Sequence, residues 1–148
     1  MSEGNKGAIL TDARPDLQRE LRFFPIHSDS PSTLTPEQIE DFNQKGYIWK
    51  LPVFSEEEIA VHRAYFDRLL EKELSEGRGS YSINCRHYEL RGIYDLVMTP
   101  SILDYVQDLL GENIICFATH YFCKLPGEEK AVSWHQDASY WPISPSKV

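Results

Sequence analysis

The 148-residue sequence lacks any apolar run long enough to cross a bilayer, and its first residues, MSEGNKGAILTDARPD, lack the apolar stretch of a secretory signal peptide. Basic residues are few, with 15 Lys and Arg against 23 Asp and Glu, and no basic stripe interleaves with aromatic residues. Nucleic-acid binding is therefore not expected, because it needs clustered positive charge. Together these absences predict a soluble cytoplasmic protein that binds neither membranes nor nucleic acid.

Cysteine is also scarce in this chain. Cys85, Cys116 and Cys123 are odd in number and form no C-x-x-C pair, which argues against a disulfide framework and against a zinc knuckle. Unpaired cysteine mostly behaves as a small buried apolar residue. All three are therefore interpreted as reduced packing residues without a role in a site.

The length and the 41% hydrophobic content fit one ordinary domain or part of one. Residues 1–33 are polar and interrupted by prolines, which predicts an irregular lead-in. Helix signals follow, namely two capping boxes, proline at the first helical position and glycine as a stop. The three predicted helices run from Thr35 to Gly46, from Ser55 to Gly77 and from Thr99 to Gly111.

Aromatic and β-branched residues dominate the segments between and after these helices. Residues 47–54 (YIWKLPVF) predict an edge strand, and residues 113–124 (NIICFATHYFCK) and 131–135 predict two more. Helices come first in the chain and strands come later, an order that favours an α+β fold with helices flanking an antiparallel sheet.

The pair His135 and Asp137 carries the most distinctive chemistry in the sequence. On a strand, residues two apart point to the same face, with their Cα atoms roughly 6.6 Å apart. One imidazole nitrogen and one carboxylate oxygen supply two ligands of the facial triad that holds non-haem iron, leaving positions for a co-substrate and oxygen. By itself an H-x-D pattern has little specificity, and a third ligand is required.

The surroundings of this pair resemble the phytanoyl-CoA dioxygenase family. WHQDASYWP, at residues 134–142, is the most specific stretch, and KLPG precedes it. Upstream, LTPEQIEDFNQKGYIWKLPVFSEEEI, TPSILDYVQDLLG and NIICFATHYFCK follow in the family's order. The resemblance covers about residues 33–148 and implies N-terminal helices packed on a double-stranded β-helix, or jelly-roll. It also implies that His135 and Asp137 are the first two iron(II) ligands.

The resemblance implies a 2-oxoglutarate-dependent dioxygenase that hydroxylates a small organic substrate. Oxygen is the oxidant, 2-oxoglutarate is the co-substrate that becomes succinate, and ascorbate is an optional reductant. Halogenating members of the family replace the metal-binding carboxylate with a small residue, so the presence of Asp137 favours hydroxylation. No acid, base or nucleophile of the chain is assigned a catalytic role.

A rough alignment with the family places contacts to 2-oxoglutarate at His120 and Arg91, and walls of the substrate pocket at Trp134 and Tyr140. The alternative for His120 is a strand histidine bonded within the fold, and the alternative for Arg91 is a surface ion pair. For His87, which shares a segment with Arg91, solvent exposure is the default expectation.

The family pattern also requires a distal histidine as third ligand and an arginine that binds the far carboxylate of 2-oxoglutarate. Neither is located in the sequence, so residues 34–148 are interpreted as the truncated N-terminal part of such a domain, inactive by itself. Two alternatives stay open. One is a non-catalytic binding or assembly module, and the other is a cupin-type site holding zinc or another metal, because two ligands do not select the ion.

Overall fold

The computed structural model of the chain describes residues 15–20, 22–28, 30–129, 131–133, 135 and 137–144. The chain forms two compact units, one made of Ile26–Lys130 and the other of Met1–Pro25 together with Ala131–Val148. None of the helices within the described ranges combines the length and the apolar character needed to cross a membrane.

The larger unit contains most of the helical residues. Its helices are α1 (Pro36–Lys45), α2 (Glu56–Ser75), α3 (Arg91–Val97) and α4 (Pro100–Leu110), with a 3₁₀ turn at Arg86–Tyr88. The three helices predicted from the sequence are confirmed as α1, α2 and α4. Helix α3 was not predicted, because no side chain caps its first residue and it spans only seven residues. The smaller unit contains the four-residue helix α5 (Asp137–Tyr140).

Local side-chain chemistry accounts for where α1 begins and ends. Thr35 accepts a hydrogen bond from the backbone N–H of Gln38, while the Gln38 side chain accepts one from the backbone N–H of Thr35. These bonds satisfy two of the donors that every helix leaves open at its N-terminus. At the other end, Gly46 adopts φ +79°, a left-handed conformation that glycine reaches without penalty. Ser55 and Glu58 form the same capping box for α2.

A small apolar core lies beside α1 in the larger unit. Ile26, Leu34 and Ile39 are buried there, and half-buried apolar side chains from α1, α4 and the segment after α1 pack around them. Asp108 of α4 holds the chain that leads into this core, because its carboxylate accepts hydrogen bonds from three backbone N–H groups at residues 32–34. The lead-in to α1 is therefore attached to α4 both by apolar packing and by the Asp108 carboxylate.

Helix α2 buries a charged residue rather than its apolar face. Glu73 is its one buried residue and is only 4% exposed. The expected apolar face is at most partly covered, since Ile59 is 50% exposed and Leu74 is 41% exposed. Two guanidinium groups bind Glu73: Arg78 contacts both carboxylate oxygens, and Arg86 lies 3.4 Å from one of them. This cluster joins the end of α2 to the 3₁₀ turn that follows.

The predicted α+β fold with helices packed on a partial jelly-roll is wrong for the described residues, which are helical and contain no β-strand. Their β-structure is an isolated antiparallel bridge between Asn84 and His120. Two backbone hydrogen bonds accompany this bridge, from Cys85 to the Thr119 carbonyl and from Tyr121 to the Ile83 carbonyl. The backbone pairing extends no further on either side.

The physical reason is that β-propensity expresses how well a residue packs against neighbouring strands, and a strand without neighbours gains little from it. Residues 113–124 lack regular secondary structure although exposed and half-buried positions alternate over much of the segment. In residues 47–54, Lys50 takes φ +63° and Pro52 provides no N–H donor, so a ladder cannot continue through them. Residues 131–135 are not a strand where they are described, and α5 starts two residues later.

Candidate metal site

His135 and Asp137 lie side by side in the smaller unit. His135 itself has no regular secondary structure, and Asp137 is the first residue of α5. The imidazole Nε2 of His135 is 3.2 Å from the Asp137 carboxylate oxygen Oδ1. The two side chains therefore meet, although the strand alternation from which their proximity was predicted is absent.

The second nitrogen of the His135 ring is held by the backbone. Nδ1 lies 2.7 Å from the carbonyl oxygen of Ser133. A carbonyl oxygen can only accept, so Nδ1 carries a hydrogen and donates it. Metal-binding histidines almost always donate their other ring N–H in this way, which fixes the tautomer and the orientation of the ring.

This tautomer determines what can lie between His135 and Asp137. With Nδ1 protonated, a neutral ring turns the lone pair of Nε2 toward the negative carboxylate, which is an unfavourable arrangement. A positive charge removes the conflict, either as a second proton on the ring or as a metal ion that both groups bind. Two ligand atoms in adjacent coordination positions of one ion, each roughly 2.1 Å from it, lie about 3 Å from each other. The observed 3.2 Å fits that requirement.

Both groups are open to solvent. The side chain of His135 is 51% exposed and that of Asp137 is 70% exposed. An ion and a small molecule can therefore reach the pair without a change in the fold. Among the described residues, no group of three or more His, Cys, Asp or Glu side chains is placed to hold a metal ion. Within the described part of the chain, the candidate site therefore consists of His135 and Asp137.

The two predicted pocket residues flank this pair in the sequence. Tyr140, in α5, is 58% exposed and makes an edge-to-face contact with Trp141 at 5.1 Å between ring centroids. It lies one helical turn after Asp137, on the same short helix. Trp134 lies outside the described residues, so its predicted role stays a prediction.

The predicted contacts to 2-oxoglutarate lie in the larger unit. His120 Nε2 is 3.0 Å from the Tyr81 carbonyl oxygen, so this nitrogen donates to the backbone and only Nδ1 is left to accept. Arg91 begins α3 and pairs through Nε with Asp95 at 2.6 Å, with 83% of its side chain exposed. Both residues therefore have the arrangement given above as the alternative to co-substrate binding. His120 is bonded within the fold, and Arg91 forms a surface ion pair.

His87 is buried, which corrects the expectation that it is exposed. Only 8% of the residue is accessible, and Nδ1 lies 2.8 Å from the Thr119 hydroxyl. Its ring also packs on Tyr88, with 4.0 Å between the ring centroids. No sequence signal predicted this burial, because it depends on the approach of a segment more than 30 residues away.

Arg19 is a further residue that sequence reasoning missed. It lies in the lead-in that was predicted to be irregular, yet its guanidinium contacts backbone carbonyls at the end of α5. The sequence separation of about 120 residues carries no local signal, and an isolated arginine in a polar stretch is ordinary.

Comparisons of the chain with protein-family models, with curated proteins and with solved structures find no significant match.

Proposed function

We propose that His135 and Asp137 bind one iron(II) ion and that the protein is a non-haem iron- and 2-oxoglutarate-dependent dioxygenase that hydroxylates a small organic substrate. The observation that supports this most directly is the His135 geometry, with Nδ1 donating to Ser133 and Nε2 facing Asp137 at 3.2 Å. The proposal depends on this pair and on the WHQDASYWP resemblance, not on the fold, because one fold hosts many functions.

The chain's own residues would hold the ion and keep one side of it open. Asp137 supplies negative charge and His135 supplies a neutral nitrogen, a mixed donor set that suits a redox-active first-row ion. The Ser133 carbonyl oxygen accepts from Nδ1 and thereby fixes the orientation of the ring. When bound, the iron supplies oxygen activation and chelation of 2-oxoglutarate.

The remaining predicted residues have subsidiary roles in this proposal. Arg91 is proposed as a contact to a carboxylate of 2-oxoglutarate by the resemblance alone, since in the structure its guanidinium pairs with Asp95. His120 stays a predicted contact to 2-oxoglutarate by the resemblance alone, because its Nε2 donates to the Tyr81 carbonyl oxygen in the structure. Tyr140 and Trp134 would line the substrate pocket.

Anaerobic titration with iron(II) tests the site. We expect Asp137→Ala and His135→Ala each to weaken iron binding at least tenfold, because each removes one ligand of a site that provides few. His27→Ala and Asp104→Ala are matched controls, since both side chains are exposed and distant in sequence from the pair. Unchanged affinity in either test variant would remove that residue from the site.

Co-substrate linkage separates an oxygenase from other metal sites. A ligand that chelates the bound ion must raise the affinity for that ion, because the coupling between two bound ligands is reciprocal. We expect 2-oxoglutarate to tighten iron binding and glutarate, which lacks the 2-oxo group, to leave it unchanged. Tight zinc binding whose affinity does not change when 2-oxoglutarate is added would favour the cupin-type alternative. Metal binding no stronger in the wild type than in Asp137→Ala would favour a non-catalytic module.

Turnover requires the third ligand in addition to the pair. With iron(II), ascorbate, oxygen and 2-oxoglutarate present, we expect no succinate above an Asp137→Ala control from residues 1–148. Succinate that disappears in that control would place the third ligand within this chain. A chlorinated product in the presence of chloride would show that the reaction is halogenation and not hydroxylation.

A further inference from the structure

Arg19 joins the lead-in of the smaller unit to α5. Its Nη1 donates to the Trp141 carbonyl oxygen, and its Nη2 donates to the Ser139 carbonyl oxygen at 3.0 Å. A second link between the same two segments runs from the backbone N–H of Glu20 to the Ser144 hydroxyl at 3.4 Å. Planar guanidinium donors can meet two carbonyls at once, which the ammonium group of lysine does less well.

Helix α5 depends on such outside support. It has only four residues, and the described hydrogen bond of its single turn runs from the Trp141 N–H to the Asp137 carbonyl at 3.0 Å. Helices this short are unstable by themselves, because the entropy lost in forming the first turn outweighs the stabilisation from its hydrogen bonds. Their last carbonyls also have no partner within the helix, and a cation at that end is favourable. Arg19 supplies hydrogen-bond donors from outside the helix and positive charge at its C-terminal end.

The metal ligand Asp137 is the residue that begins this turn. A change at the C-terminal end of α5 is transmitted to it directly, since the Trp141 carbonyl binds Arg19 and the Trp141 N–H binds the Asp137 carbonyl. We propose that Arg19 is a positioning residue for the metal site, holding α5 closed so that the Asp137 carboxylate stays beside His135. This inference rests on the proposed function of the pair.

The experiment compares Arg19→Ala and Arg19→Lys with Arg22→Ala in the full chain. Arg22 is the matched control, because it lies three residues away, is 70% exposed and pairs with Glu20. We expect iron(II) affinity to fall about tenfold in Arg19→Ala, the low end for groups that orient ligands. Arg19→Lys should recover part of the loss, and Arg22→Ala should bind iron like the wild type.

Hydrogen exchange of the Trp141 amide gives a second reading that needs no metal. That amide should exchange faster in Arg19→Ala, while amides in the middle of α2 keep their wild-type rates, because only the turn at α5 opens. Uniformly faster exchange in both places would indicate a general loss of stability and overturn the positioning role. If Arg19→Ala does not fold, the same two measurements on Arg19→Lys decide, with intermediate values expected.

The outcomes separate this inference from the proposed function. Iron binding that is lost in Asp137→Ala but unchanged in Arg19→Ala would overturn the role of Arg19 and leave the metal site intact. If Asp137→Ala binds iron(II) as tightly as the wild type, the proposed function is wrong, whatever the exchange rate of the Trp141 amide.

Discussion

Glu73→Ala should lower the free energy of unfolding of the Ile26–Lys130 unit by about 3 kcal/mol, the low end of the cost of removing one partner from a buried ion pair. Glu73 is 4% exposed and is bound by Arg78 and Arg86, so its loss removes the buried carboxylate between two guanidinium groups. Those groups then keep the more exposed carboxylates of Glu76 and Glu89 as partners. The estimate stays low because Arg78 is 42% exposed and water can partly replace the carboxylate. Urea denaturation followed by circular dichroism measures the change.

Glu76 provides the matched control for this experiment. It contacts the same guanidinium group of Arg78 but is itself 42% exposed. Exposed ion pairs contribute about 0–1 kcal/mol, so Glu76→Ala should alter stability by no more than that. Equal effects of the two substitutions would show that burial of the Glu73 carboxylate adds nothing to stability.

The contribution of Glu73 should also depend on pH. Hydrogen bonding from Arg78 lowers the pKa of Glu73 from its ordinary value of 4.5 to about 2, against the opposing effect of burial. The folded protein therefore keeps this carboxylate ionised where the unfolded chain binds a proton. The stabilisation is complete above pH 4.5 and is lost as pH falls toward 2. The difference in unfolding free energy between wild type and Glu73→Gln should accordingly shrink between pH 5 and pH 3, the range in which it is measured.

Asp108→Ala should cost about 2 kcal/mol, since hydrogen bonds to charged groups contribute roughly 1.5–3 kcal/mol. Its carboxylate accepts from the backbone N–H groups of Ser32, Thr33 and Leu34 at 2.7–2.9 Å. Of these residues, Leu34 is 3% exposed and belongs to the apolar core, so the lost acceptor leaves a donor in a place that water reaches poorly. Chemical denaturation of the variant measures the cost.

Asp104 is the control for Asp108, because it lies one turn earlier in α4 and is exposed. Asp104→Ala should change the unfolding free energy by less than about 0.5 kcal/mol. Burial alone would raise the pKa of Asp108, but the backbone N–H groups of residues 32–34 outweigh it and lower that pKa below its ordinary 3.8. Its stabilisation is therefore present above about pH 4 and is lost at lower pH. A stability difference between wild type and Asp108→Ala that grows on acidification would contradict this role.

Local sequence signals predicted the helices well and the sheet badly. The ends of α1 and α2 follow from capping boxes whose bonds span three residues, so the information is contained in the segment itself. The segment around His120 carries equally strong β-propensity, yet within the described part of the chain its backbone bridge is the isolated one to Asn84. A strand takes its stability from partners elsewhere in the chain, and propensity cannot report whether they are in place.

The same distinction between local and long-range information applies to the candidate site. The sequence by itself determined that a histidine and a carboxylate stand two residues apart. This short spacing keeps the two side chains close whether Asp137 belongs to a strand or, as observed, begins α5. The tertiary structure alone decided what supports them: Arg19, about 120 residues earlier, binds the end of α5. It likewise decided that Glu73 is buried and that His87 is covered by the segment of Thr119. Short-range geometry is imposed by covalent bonds and local hydrogen bonds, whereas burial and long-range partners arise only when distant segments pack together.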